Sequence, residues 1–102
     1  MFEGDAMAKG YWITLYHSVS DPAALAEYGK RATLAIEAGG GRFVVRGMPA
    51  KVCEAGLADR SVVIEFDSVE KAIATYESPA YQAAYKVLEG KARRDVRFVQ
   101  GV

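Results

Sequence analysis

Hydrophobic and polar residues alternate with a period of two along four short stretches of this chain, and between those stretches apolar residues recur at helical spacing. Tyr11 to His17 sets Tyr11, Ile13 and Leu15 against Trp12, Thr14 and Tyr16, which predicts a first strand. Asp21-Pro22 then places a capping carboxylate before a proline suited to a first helical turn. Leu25, Tyr28, Ala32, Ala35 and Ile36 form one stripe of a helix running to about Ala38. Gly39 to Gly41 stops it. Arg42 to Arg46 predicts a second strand ending near Gly47, and Lys51 to Glu54 either extends it beyond a bulge or forms a short ribbon of its own. Arg60 to Phe66 predicts a third strand. Asp67 with Glu70 reads as a capping box for a helix carrying Val69, Ala72, Ile73 and Tyr76. Ser78-Pro79 restarts the pattern with Tyr81, Ala84, Tyr85 and Leu88, so this segment is expected in two pieces. Asp95 to Gln100 predicts a fourth strand.

The order is β-α-β-β-α-β, the split βαβ or ferredoxin-like arrangement of an α+β domain, with one antiparallel four-stranded sheet. Right-handed crossovers put both helical segments on one face and leave the other bare. The almost wholly apolar set Tyr11, Ile13, Leu15, Phe43, Val45, Val62, Ile64, Phe66, Val96 and Phe98 is expected under the helices. Trp12, Thr14, Tyr16, Arg42, Val44, Arg46, Val63, Glu65, Arg97 and Val99 are then expected on the open side. So much apolar surface in water predicts a homodimer, two copies laying their open sheet faces together about a twofold axis.

Composition narrows the partners. The 102 residues suit one domain, over residues 9–102, with residues 1–8 expected to be a disordered extension or an alternative start. Thirteen basic residues balance thirteen acidic ones, so no long-range field draws the protein to nucleic acid or to an anionic membrane. Purely aliphatic runs such as Val62 to Ile64 are far too short for a membrane helix. Glu3 and Asp5 stand where a signal peptide needs a basic segment, and Cys53 is the only cysteine, which excludes an intrachain disulfide and a cysteine-based metal cluster. A cytoplasmic location is expected.

Several short motifs, taken together, resemble the family catalogued as domain of unknown function 1330. They are Gly10-Tyr11-Trp12, Asp21-Pro22 with Tyr28, Gly40-Gly41-Arg42-Phe43 running to Arg46-Gly47, and Glu54. Val63-Ile64-Glu65-Phe66, Ser68-Val69-Glu70 with Ala72, and Tyr76 with Ser78-Pro79-Ala80-Tyr81-Gln82 complete them. The resemblance covers about Lys9 to Val102 and implies a dimeric α+β barrel, the superfamily of cofactor-independent antibiotic-biosynthesis monooxygenases, haem-degrading monooxygenases, muconolactone isomerases and chlorite dismutases. It implies no settled activity for this branch, and one scaffold hosts many chemistries. In those relatives the ligand sits between sheet and helices while the open sheet faces meet.

The chemistry-bearing residues fall into two groups. Glu65 stands mid-strand among apolar neighbours, where a lone carboxylate is costly. It is therefore either the partner of Arg42, Arg46 or Arg97 in an ion pair, or a general base with Arg46 holding a developing oxyanion. His17, the only histidine, ends the first strand and is a second candidate catalytic group, beside its reading as a surface residue. Tyr28, Tyr76, Tyr81 and Tyr85 fall on the sheet-facing stripes of the helices, where they pack or line an aromatic pocket; with Arg46, Tyr28, Tyr76 and Tyr81 are the candidate substrate-binding residues. No cofactor or metal is expected, one histidine with scattered carboxylates making a poor metal site. The expected function is binding of a small organic molecule, either as a cofactor-independent enzyme of proton transfer or oxygenation or as a non-catalytic ligand-binding or dimerisation module.

Overall fold

The computed structural model describes residues 8–102, so the expected N-terminal extension, but for its last residue, lies outside the described residues. The elements are β1 (Gly10–Val19), α1 (Pro22–Ala38), β2 (Arg42–Gly47), β3 (Ser61–Phe66), α2 (Val69–Tyr76), α3 (Pro79–Leu88) and β4 (Ala92–Gln100). The strands form one sheet in the order β2-β3-β1-β4 with every neighbouring pair antiparallel, which is the ferredoxin-like α+β arrangement expected from the alternation. Among the described residues no helix is long and apolar enough to cross a membrane.

Local chemistry sets the helix boundaries. The Asp21 carboxylate accepts the Ala24 N–H at 3.0 Å with Pro22 in the first turn of α1. The Gly41 N–H closes α1 onto the Ile36 carbonyl at 2.9 Å. The break between α2 and α3 falls at Glu77, and Ser78 caps α3 by accepting the Tyr81 N–H at 3.2 Å. The expected cap of α2 moves by one residue: Ser68, in extended backbone, accepts the Lys71 N–H at 3.2 Å, whereas Asp67 faces Lys9 at 3.3 Å and Arg42 at 3.6 Å. A third cation, Lys71 in the first turn of α2, stands 3.8 Å from the same carboxylate. Lys51 to Glu54 forms no strand and belongs to an irregular, largely exposed connection between β2 and β3.

The helices lie on one face, but the side assigned to β1 is reversed. Trp12, Thr14 and Tyr16 are buried beneath the helices, and Tyr11, Ile13 and Leu15 face the open side. Registration fixes this, since Trp12 pairs with Ile64 and Phe98, whereas Ile13 pairs with Val63 and Arg97. Both sides of β1 are apolar, so alternation alone could not orient it. Gly10 decides it: this residue shares the parity of Trp12, and a side chain there would run into the Val69 backbone where α2 begins. A second reversal occurs in β2, where the register shifts between Phe43 and Val45. Beyond that bulge Val45 pairs with Val63 on the open side and Arg46 pairs with Val62 beneath the helices, each opposite to the simple alternation.

The core centres on Trp12, whose ring meets Phe66, Tyr76, Tyr81 and Phe98 at centroid separations of 6.4, 5.4, 4.8 and 5.4 Å. With α2 seated over β1 and reaching β3 and β4, and α3 packed along α1, no helix among the described residues packs closely on β2. A cleft opens there.

Candidate functional site

The cleft has a volume of about 530 Å³ and lies between α1 and the inner faces of β1, β2 and β3. That is the size of a small-molecule site. Its sheet wall is Trp12, Thr14, Tyr16, Val62 and Ile64; Leu25, Tyr28 and Ile36 close it from α1, with Phe43 and Arg46 from β2. Among the described residues the charged ones that line it are Lys30, Arg46, Arg60 and Arg94, all cationic, with no aspartate or glutamate.

Its polar centre is built from three elements. Tyr28 on α1 and Tyr81 on α3 bring their hydroxyls to 2.7 Å, and Arg94 on β4 donates from Nη1 to the Tyr28 oxygen at 3.1 Å and from Nη2 to the Tyr81 oxygen at 3.3 Å. The guanidinium also lies over the rings of Tyr16, Tyr28 and Tyr85, 5.5, 5.2 and 5.7 Å from their centroids. Burial, then the neighbouring Tyr28 oxygen, pushes the Tyr81 phenol above its ordinary pKa, and burial also raises that of Tyr16. Burial works against the charge of Arg94, but the Tyr28 and Tyr81 oxygens outweigh it and hold its pKa above the ordinary value. The site is thus a fixed cation among neutral phenols. Trp12, which lines the same cleft, carries a buried Nε1–H that meets no acceptor among the described residues.

The sequence-derived candidates divide between the two faces of the sheet. Tyr28 and Arg46 line the cleft, and Tyr81 joins it through the Tyr28 hydroxyl. The Arg46 guanidinium stacks over Phe43 at 4.2 Å and reaches Thr33 Oγ1 at 3.5 Å. Tyr76 stands behind the cleft, packed on Trp12 and, at 5.1 Å, on Tyr81. Glu65 lies on the open face, accepting from the Tyr11 hydroxyl at 2.8 Å and from Arg42 at 3.0 and 3.2 Å. The Tyr11 hydrogen bond first, and the Arg42 one second, hold its carboxyl below the usual range. Of the three arginines offered as its partner, Arg42 takes the role; Arg97 pairs with Asp95 at 2.8 Å, and Arg46 is beneath the helices. His17 is exposed in a second cleft of about 460 Å³, shared with Asp95, Arg97 and Cys53. Neither Glu65 nor His17 lies among the residues that line the first cleft. Among the described residues no group of three His, Cys, Asp or Glu side chains is placed to hold a metal ion.

Arg94 was not among the sequence candidates. The fourth strand was expected from Asp95, whereas β4 begins at Ala92. Stepping back by two from Phe98 and Val96 places Arg94 on the buried face, but the charged run Lys91, Arg93, Arg94, Asp95 reads as a solvated turn.

No functionally curated protein matches the sequence. Among solved structures the chain is similar to a protein of unknown function from Rhodopseudomonas palustris, at 17% identity over 94% of this chain and 84% of that one, with a TM-score of 0.71. A dimeric ferredoxin-like protein of unknown function from Thermobifida fusca matches at 16% identity, 91% of each chain and a TM-score of 0.59. A cofactor-independent oxygenase from Streptomyces nogalater matches at 12% identity, 93% of this chain and 92% of that one, with a TM-score of 0.56. Likeness at these identities is likeness of fold. At the level of sequence, residues 9–102 match the family described as domain of unknown function (DUF1330), and the chain belongs to it.

Proposed function

We propose that this protein binds a small, flat organic molecule in the cleft between α1 and the sheet, and does so as a homodimer joined through the open sheet face. The observation that carries the reading is the cleft itself: about 530 Å³, walled by Trp12, Tyr16, Tyr28 and Phe43, and ending at the Tyr28–Tyr81–Arg94 cluster. A packing module without a ligand would have filled that space. Aromatic walls favour a planar ligand, and a few convergent polar groups fix its orientation.

If the site is catalytic, its groups suit stabilisation of negative charge on a substrate oxygen, as in a cofactor-independent oxygenase or a proton-transfer enzyme, with Arg94 and the two phenols as donors. Proton abstraction by Glu65 would require a second site, because its carboxylate is on the other face of the sheet. The structural likeness to a cofactor-independent oxygenase is consistent with the first role. For assembly, the open face offers Ile13, Leu15, Val45, Val63 and Val99 in one patch, and a protein of the same fold is described as dimeric.

Trp12 is the only tryptophan, so its indole N–H gives a single, assignable resonance inside the cleft. Titrating small aromatic, lactone and quinone compounds is expected to move that resonance saturably and to raise the melting temperature. A set of compounds that stabilises the fold without shifting it would place the ligand elsewhere and reject the cleft.

A further inference from the structure

We infer that the ligand of this cleft is an organic anion, a flat molecule whose negative oxygen is received by Arg94 and the Tyr28–Tyr81 hydroxyl pair. The inference rests on the cleft being a ligand site, and adds to it the charge and the orientation of what binds.

Donor accounting gives the first reason. A guanidinium has five N–H donors. Arg94 spends donors on the Tyr28 and Tyr81 oxygens, with the Tyr16 hydroxyl a third acceptor beside it, and no carboxylate pairs with it among the described residues, where the ion pairs of arginine and lysine run to aspartate or glutamate. The two phenols share one proton between them, so the second hydroxyl proton has no acceptor within the cluster. Trp12 adds a buried N–H without an acceptor among the described residues. The Arg94 guanidinium and the Trp12 N–H can only donate, while the Thr14 and Tyr16 hydroxyls that also line the cleft can donate or accept. A ligand matched to this region is therefore rich in acceptors, and a charged oxygen satisfies several donors at once with stronger hydrogen bonds than a neutral one.

Charge gives the second reason. A cation held among aromatic rings and partly withdrawn from water is costly unless something offsets it. The rings of Tyr16, Tyr28 and Tyr85 do so in part. The remaining lining charges, Lys30, Arg46 and Arg60, add to the positive potential instead of neutralising it. The chain as a whole is balanced at thirteen charges of each sign, so this is a local concentration and not a property of the composition. Low-dielectric walls lined by one sign of charge focus the field on an incoming anion. Two kinds of oxyanion fit the geometry, a carboxylate on a ring and a phenolate or enolate within one.

The test uses pairs of similar shape that differ in charge, 2-naphthoate against 2-naphthamide and 4-nitrophenolate against 4-nitroanisole, each followed by the Trp12 indole resonance. The anion of at least one pair is expected to bind about tenfold tighter than its neutral counterpart, and the pair that shows it identifies the kind of oxyanion. Arg94→Met is expected to bring that ratio close to one, and Arg94→Lys, which keeps the charge and loses the fork, to retain part of the preference. Equal affinities in both pairs with wild-type protein overturn the anion and leave the ligand site standing. An indole resonance that neither pair moves overturns the site and this inference with it. A preference that persists in Arg94→Met hands recognition to the other lining cations and overturns the part given to Arg94.

Discussion

Gly41 joins the end of α1 to the start of β2 with no room for a side chain. A Cβ on it would stand 2.7 Å from Ile36 Cγ2 and Phe66 Cζ and 2.9 Å from Ile64 Cγ2, all three buried. Gly41→Ala is therefore an overpacking change, expected to cost about 1–3 kcal/mol, read from the urea midpoint. Glu65 gives a prediction of opposite kind, in pH. Its folded pKa is depressed, so its contribution to stability is complete above the unfolded value and is lost as pH falls through the folded one. Wild type is thus expected to exceed Glu65→Gln in stability near neutral pH, with the gap closing as the solution is acidified below the carboxylate range. A gap that stays constant down to the acid limb would mean that the Tyr11 and Arg42 hydrogen bonds do not act on the charged form. At this scale the sequence was readable where chemistry is local: a carboxylate among apolar neighbours needs a partner, and Arg42 was among those named. Arg94 was not readable, because its partners are phenols on two different helices, one of them 66 residues away, and the hydrogen bonds that make it notable exist only after folding.

Between elements, the junction of α2 and α3 carries a heavier structural role than its length suggests. The Ser78 hydroxyl donates to the Thr75 carbonyl at 2.7 Å and accepts the Tyr81 N–H at 3.2 Å, so one side chain both ends α2 and begins α3. Ser78→Ala is expected to cost about 1 kcal/mol, within a range of roughly 0.5–2. Because the Tyr81 and Gln82 amides both bond to Ser78, the loss is also expected to open the first turn of α3 before global unfolding, which hydrogen exchange at Tyr81 and Gln82 would register. Cap and proline chemistry is short-range, and for that reason the starts of α1 and α3 were legible from Asp21-Pro22 and Ser78-Pro79. Orientation of a strand is another matter. In β1 each side presents bulky apolar groups, and the deciding contact is the approach of α2 onto Gly10, more than fifty residues away in sequence. In β2 the bulge lies within Val44-Val45, two equivalent residues, so the pattern holds no mark of the reversal that sends Arg46 under α1.

For the molecule as a whole, the reversed strand changes which residues form the bare face without making that face polar. Tyr11, Ile13 and Leu15 replace Trp12, Thr14 and Tyr16, and Leu15, Val45 and Val99 stand 40%, 47% and 45% exposed. A small domain buries a modest share of its surface alone, and a stable interface needs about 800 Å² from each partner, an area that a four-stranded sheet face can supply. Wild-type protein is accordingly expected to be a dimer at micromolar concentration by light scattering. Val63→Glu would set a second carboxylate beside Glu65 at the middle of that face, where pairing would bury both, and is expected to yield monomer with the circular dichroism of the parent. The cleft opens on the opposite side of the sheet from that face, so the monomeric variant is expected to keep its ligand affinity. Monomer with lost affinity would mean that a residue from the second copy completes the site, and wild-type protein found monomeric at those concentrations would leave the apolar open face without the role assigned to it.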